Sequence, residues 1–165
     1  MLTNILYVLF LMAVIGFILW LGFARLMKRS VEYQNRAFRS GMHEVDQMDG
    51  RTFETKLGLH FAQRGFEVET TPTSGDYGAD LVLTDANGNR TVVQAKRYSG
   101  AVGVKAVQEV SAARAMYGAT GAIVITNSHF TKNAMILAAN TGVYLWDRER
   151  LIDEFSLNTG SANTL

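Results

Sequence analysis

The chain is 165 residues long, 48% hydrophobic and 19% charged, with one proline and no cysteine. These totals exclude a disulfide scaffold, a thiolate metal site and a proline-rich disordered chain. Sixteen Lys and Arg against fifteen Asp and Glu also exclude a bulk basic field, so nucleic-acid binding has to come from local motifs.

Residues 1–24 hold no charge, and from Ile5 to Ala24 the sequence reads ILYVLFLMAVIGFILWLGFA. About twenty residues at roughly 1.5 Å each span about 30 Å, enough to cross a bilayer, so 1–24 is predicted to be a transmembrane anchor. A secretory signal would carry a basic stretch before the apolar run, and Met1 to Asn4 supply none. Arg25, Lys28, Arg29, Arg36 and Arg39 follow the run against Glu32 alone, which predicts a single-pass protein of the inner membrane with its C-terminal part cytoplasmic. Residues 25–50 read as a helical juxtamembrane linker broken at Gly41, its basic face suited to anionic lipid headgroups or to water.

A folded domain is expected over 51–155, with a flexible tail over 156–165. Its predicted elements are a helix Phe53 to Arg64 stopped by Gly65, then strands Phe66 to Thr71, Ala79 to Leu83 and Thr91 to Lys96. The last two join through Asp85-Ala86-Asn87-Gly88-Asn89, where Asn-Gly offers the positive φ angles of a tight hairpin. Next come a helix Val104 to Tyr117, a strand Ala122 to Thr126, a helix Thr131 to Asn140 capped by Thr131 or Ser128, a short strand Val143 to Trp146 and a last helical turn Arg148 to Phe155. This is the pattern of a mixed α/β sandwich with one core.

The chemistry concentrates in SGDYGADLVL and VVQAKRY. Antiparallel pairing brings Asp80 and Lys96 to one end of the sheet, and Gln94 and Lys96, two apart, point to one face. Phosphodiester hydrolysis needs an oxygen ligand for a hard divalent cation, a polarised water and a positive group near the developing charge. Asp80 suits the first and Lys96 the last, while Glu54 on the preceding helix can offer a second carboxylate. Plainer roles remain open: Asp80 as a turn residue, Lys96 as a solvated strand end, Glu54 as a first-turn partner of the helix dipole. Asp76 reads as an Asx turn former. His43, His60 and His129 lack ligand spacing, which argues against zinc.

With FETKLGLHFAQRGFEVETTPTSGDYGADLVL, VVQAKRY, VGVKAVQEV, GAIVITNSHFTKNA and VYLWDRERL in place, the chain from about Asp49 to Leu151 resembles the Mrr-like restriction endonuclease catalytic domain of the PD-(D/E)xK nuclease superfamily. The resemblance implies a restriction-endonuclease-like sandwich, a central mixed β-sheet flanked by helices. It implies a catalytic set of Glu54, Asp80, Gln94 and Lys96, with Asp80, Gln94 and Glu54 holding Mg²⁺ or Mn²⁺. Gln94 stands where most of the superfamily has a carboxylate; a neutral amide binds Mg²⁺ more weakly, so the site leans on Asp80, Glu54 and the Ala95 carbonyl.

Arg97, Lys105, Asn127, Ser128, Thr131 and Lys132 are candidate nucleic-acid contacts, donors of the kind that suit phosphate oxygens. Residues 51–165 balance 11 basic against 11 acidic side chains, so DNA binding should depend strongly on salt. The expected protein is a membrane-anchored, Mg²⁺-dependent DNA endonuclease of type IV restriction character. A double-strand cut would call for a homodimer. The competing expectation is a non-catalytic binding module on the same fold, tethered to the membrane.

Overall fold

The computed structural model describes residues 12, 13, 15–25, 28, 42–72 and 77–159. Contacts divide the chain into Met1–Phe38 and Arg39–Leu165. In the first unit, residues 15–25 are helical, and Ile15, Phe17, Ile18, Leu19, Trp20 and Phe23 are each more than half exposed. Among the described residues no helix is long and apolar enough to cross a membrane, and much of the expected Ile5–Ala24 span lies outside them.

The second unit is built on a five-stranded mixed sheet in the order β1-β2-β3-β4-β5. The strands are β1 (Glu67–Thr70), β2 (Leu81–Thr84), β3 (Arg90–Lys96), β4 (Gly121–Thr126) and β5 (Tyr144–Trp146). β1 to β3 run antiparallel, and β4 and β5 add in parallel, each reached by a helical crossover. The helices are α1 (Gly50–Gln63), α2 (Val104–Met116), α3 (Lys132–Thr141) and α4 (Arg148–Thr159).

The period-two alternation of β3 divides the core. Val92 faces a cluster with Ala106, Val107, Val110 and Ala113 of α2 and Ala134 and Ala138 of α3. Val93 and Ala95 face the other way, onto Phe53, Leu57 and Phe61 of α1 and Leu151 of α4. The buried residues of α2 recur at Ala106, Val107, Val110 and Ala113, the stripe of a helix laid on a sheet. Leu57, fully buried, is worth about 2–5 kcal/mol against truncation to Ala.

Several boundaries move for identifiable reasons. Asp49 caps α1 by accepting from the Thr52 amide at 2.8 Å, so the helix begins before Phe53, and Glu54 lies in its second turn rather than its first. Residues 42–47 are helical, and Met42 and Val45 are buried in the α1 side of the core, so packing begins upstream of Arg51. The β2–β3 turn uses one positive φ, at Gly88, and not an Asn-Gly pair. Asp85 closes it by accepting from the Asn87 and Asn89 amides at 2.9 and 2.8 Å. Thr131, not Ser128, caps α3, through the Ala134 amide. α4 runs on to Thr159, past the expected start of the tail at Ser156.

Candidate active site

Asp80 sits where the β2–β3 ladder ends. Its amide donates to the Val93 carbonyl at 2.8 Å, and its carboxylate Oδ2 accepts from the Ala95 amide at 2.7 Å. On the other side Thr71 of the chain leaving β1 donates its amide to the Asp80 carbonyl at 3.1 Å. Asp80 is therefore pinned from both neighbours, with its carboxylate against the residue between Gln94 and Lys96. Asp76 lies outside the described residues.

Gln94 is 2% exposed, on the α2 face of β3. Its Nε2 donates to Glu109 Oε2 at 3.0 Å, while its Oε1 is buried and makes no hydrogen bond. Leaving a buried amide oxygen unsatisfied costs about 1–3 kcal/mol, so Oε1 has acceptor capacity that a ligand at that position would fill. Lys96 Nζ, two residues on, lies 3.8 Å from the same Glu109 oxygen, and Lys105 Nζ lies 3.6 Å from Oε1 of that residue. The expectation that Gln94 and Lys96 share a face describes the geometry.

Glu54, half-buried on α1, shares a cleft of about 620 Å³ with Asp80, Arg51, Thr70 and Thr71. Lys96 lines another, of about 280 Å³, with Lys105, Glu109 and Tyr98. Glu54 and Asp80 thus open onto one hollow and Lys96 onto another, with Asp80 tied to β3 by its bond to Ala95.

The suggested nucleic-acid contacts divide. Lys105 and Lys132 are exposed, at the N-terminal turns of α2 and α3. Ser128 lines a cleft of about 490 Å³ with Arg97, His129 and Arg148. Asn127 does something else: it is 4% exposed, accepts from the Tyr98 amide at 2.8 Å and donates to Asp46 at 2.9 Å, so both ends of its amide hold protein. Thr131 spends its hydroxyl on the cap, and Arg97 gives its Nε to the Met48 carbonyl.

Two groups went unread in the sequence. Glu109 has one signal visible in the sequence, Lys105 four residues earlier. Asp46 fell in the supposed linker, yet Arg148 grips it with two bonds of 2.8 and 2.9 Å. The Arg148 guanidinium, with Asn127, holds the Asp46 carboxyl below its usual range, and Arg148 is raised in return.

The oxygen donors suit a hard divalent cation better than zinc: Asp80 and Glu54 carboxylates and the Gln94 amide oxygen. Among the described residues no three His, Asp or Glu side chains are grouped to hold a metal, so a site here depends on that amide. The buried Gln94 Oε1 without a partner fits that need.

An antiparallel hairpin carrying Asp80 and Gln94-x-Lys96, extended by two parallel strands and sandwiched by helices, defines a restriction-endonuclease-like nuclease domain. The chain belongs to the Mrr_cat restriction endonuclease family, whose profile matches residues 45–155. The fold is similar to that of "DNA modification-dependent restriction endonuclease AspBHI", with TM-score 0.57 and 16% identity over 76% of this chain and 36% of that one. It is also similar to "MspJI Restriction Endonuclease in Complex with 27-mer Oligonucleotide", with TM-score 0.53 and 18% identity over 74% of this chain and 31% of that one. A match at 20% identity and TM-score 0.49 to "Protein of Unknown Function AF1548" covers 57% of this chain and 55% of that one. The chain thus spans about a third to just over half the length of these proteins. No curated protein matches it.

Proposed function

We propose that this protein is a membrane-anchored, divalent-metal-dependent DNA endonuclease of type IV restriction character. The observation that carries the reading is the buried, unpartnered Oε1 of Gln94, on the strand whose Ala95 amide pins the Asp80 carboxylate and whose Lys96 shares Glu109 with Gln94. Asp80 and Gln94, with Glu54 across the shared cleft, would hold Mg²⁺ or Mn²⁺. When bound, the cation would supply Lewis-acid polarisation of the phosphate and of a water.

The chain's own groups do the rest. Lys96 places a positive charge at the strand end, where charge develops on the phosphate during attack. The Ala95 amide holds the Asp80 carboxylate in one orientation, so the ligand does not have to be ordered at the moment of binding. Lys105 and Lys132, both exposed, can meet the DNA backbone. Cutting both strands would require a second subunit, so a homodimer belongs to the reading.

The anchor rests on the charge-free run Ile5–Ala24 followed by five basic residues, which would leave the nuclease domain on the cytoplasmic side of the inner membrane, in contact with lipid. The test is the full chain in detergent against supercoiled plasmid, modified and unmodified, with Mg²⁺ or chelator. Nicking lost in Asp80→Ala and in chelator supports the reading. DNA binding without turnover in the folded protein would replace it with a tethered binding module. Flotation with liposomes that survives deletion of residues 1–24 would remove the anchor.

A further inference from the structure

Three parts of the site meet on Glu109. Its Oε2 accepts from Gln94 Nε2 at 3.0 Å and lies 3.8 Å from Lys96 Nζ. The loop leading to Asp80 also rests on it: a Cβ on Gly78 would stand 2.7 Å from the Glu109 Cβ and 2.8 Å from its carbonyl carbon and oxygen. Gly78 has φ +87°, so neither the backbone nor the space admits a side chain, and the loop approaches α2 as closely as a chain can. The Glu109 side chain is only one-third exposed.

We propose that Glu109 is a positioning residue for the metal site: it orients the Gln94 amide so that Oε1 is kept for a cation, and its charge is the reason position 94 carries an amide. This rests on the nuclease reading above. The two ends of a glutamine amide are nearly equal in size and opposite in hydrogen bonding, while an ionised carboxylate only accepts. Glu109 therefore admits the NH₂ end alone. A flipped amide would set Oε1 against Oε2 at about the observed 3.0 Å, lone pair against lone pair, with NH₂ facing any cation. A carboxylate at position 94 would bring two like charges into the same contact, which disfavours ionisation of both.

The pair should consequently be exchangeable but not singly replaceable. In Glu109→Gln the amide of Gln94 has no imposed orientation. In Gln94→Glu two acids collide. In the double swap Q94E/E109Q the new amide at 109 can donate to the new carboxylate at 94, and total charge is unchanged. All three variants are nearly isosteric with the original side chains.

The experiment is Mn²⁺ binding to the full chain in detergent, read from loss of the free-Mn²⁺ electron paramagnetic resonance signal, with plasmid cleavage in parallel. Each single variant should bind Mn²⁺ about tenfold more weakly, the scale typical of groups that orient metal ligands. The swap should bind Mn²⁺ more tightly than either single variant. Glu109→Asp, which withdraws the carboxylate by one methylene, should weaken binding at unchanged circular dichroism and covers failure of Glu109→Gln to fold. Wild-type affinity in E109Q or E109D, or a swap no tighter than the singles, overturns the assignment while leaving the nuclease reading standing. A wild-type chain that neither binds Mn²⁺ nor cuts DNA overturns both.

Discussion

Gln94→Met separates a side chain kept for function from one kept for folding. Position 94 is 2% exposed, and Met fills nearly the volume of Gln. The substitution removes the unsatisfied Oε1, relieving about 1–3 kcal/mol, and adds about 1 kcal/mol of apolar burial. Against this stands the lost bond to Glu109, about 1.5–3 kcal/mol for a charged acceptor with no recourse. Glu109 has recourse, because it is one-third exposed and keeps Lys96 and Lys105 beside it. The metal-free variant should therefore be more stable by about 1–2 kcal/mol, a rise in Tm of about 4–8 °C for a domain of this size, while cleavage is lost. Thermal unfolding followed by circular dichroism measures it. Mg²⁺ at ten times its Kd should then add about 1.4 kcal/mol to the wild type and nothing to the variant. Destabilisation by about 2 kcal/mol or more, or equal metal stabilisation of both proteins, would refute the reasoning, since Gln94 would then be a structural residue.

Three further outcomes follow from the packing. His60, buried and stacked on Phe155 at 4.3 Å, has its pKa pushed down to about 4, chiefly by desolvation. A folded-state value below the unfolded 6.5 means that stability is full above pH 6.5 and declines as pH falls toward about 4; urea titrations should show this in the wild type and not in His60→Phe. Asp46→Asn should cost about 1 kcal/mol at neutral pH. Because the Asp46 carboxyl is held below 3.8, that difference should persist above pH 5 and close as pH falls through 3.8 and below, as paired denaturation curves would show. Gly78→Ala and Gly65→Ala share a positive φ near +87° but differ in space, since nothing lies within 4 Å of a Cβ at Gly65. Gly65→Ala should cost about 1 kcal/mol of backbone strain, and Gly78→Ala about 1–3 kcal/mol more, with loss of cleavage, because it pushes the Asp80 loop off Glu109.

The elements were readable because their periodicity reports burial: LVLT and VVQAK alternate or run apolar as half-buried and central strands do, and AVQEVSAARA carries a helical stripe. The pairing of Asp80 with the Gln94–Lys96 strand followed from a short connection that forces antiparallel neighbours. Partner choice among polar side chains was less readable. Asn127 has the chemistry of a phosphate ligand, and only the fold shows its amide filled by Tyr98 and Asp46. Glu109 and Asp46 lie 15 and 81 residues from the groups they hold, separations that local pattern does not encode. The cap at Asp49 is hard to read because the apolar pattern of its helix begins only at Phe53, after three helical residues.

Single-turnover cleavage of supercoiled plasmid by the full chain and by Lys96→Ala decides whether Lys96 and the donors around Gln94 hydrolyse DNA. Mg²⁺-dependent nicking or linearisation is expected of the wild type, slowed at least a hundredfold in the variant, with DNA binding at low salt unchanged; about 10²–10³ is the usual cost of losing one charge-stabilising group. Cleavage by Lys96→Ala at the wild-type rate, or none by a folded wild type that binds DNA with Mg²⁺ present, would contradict that expectation.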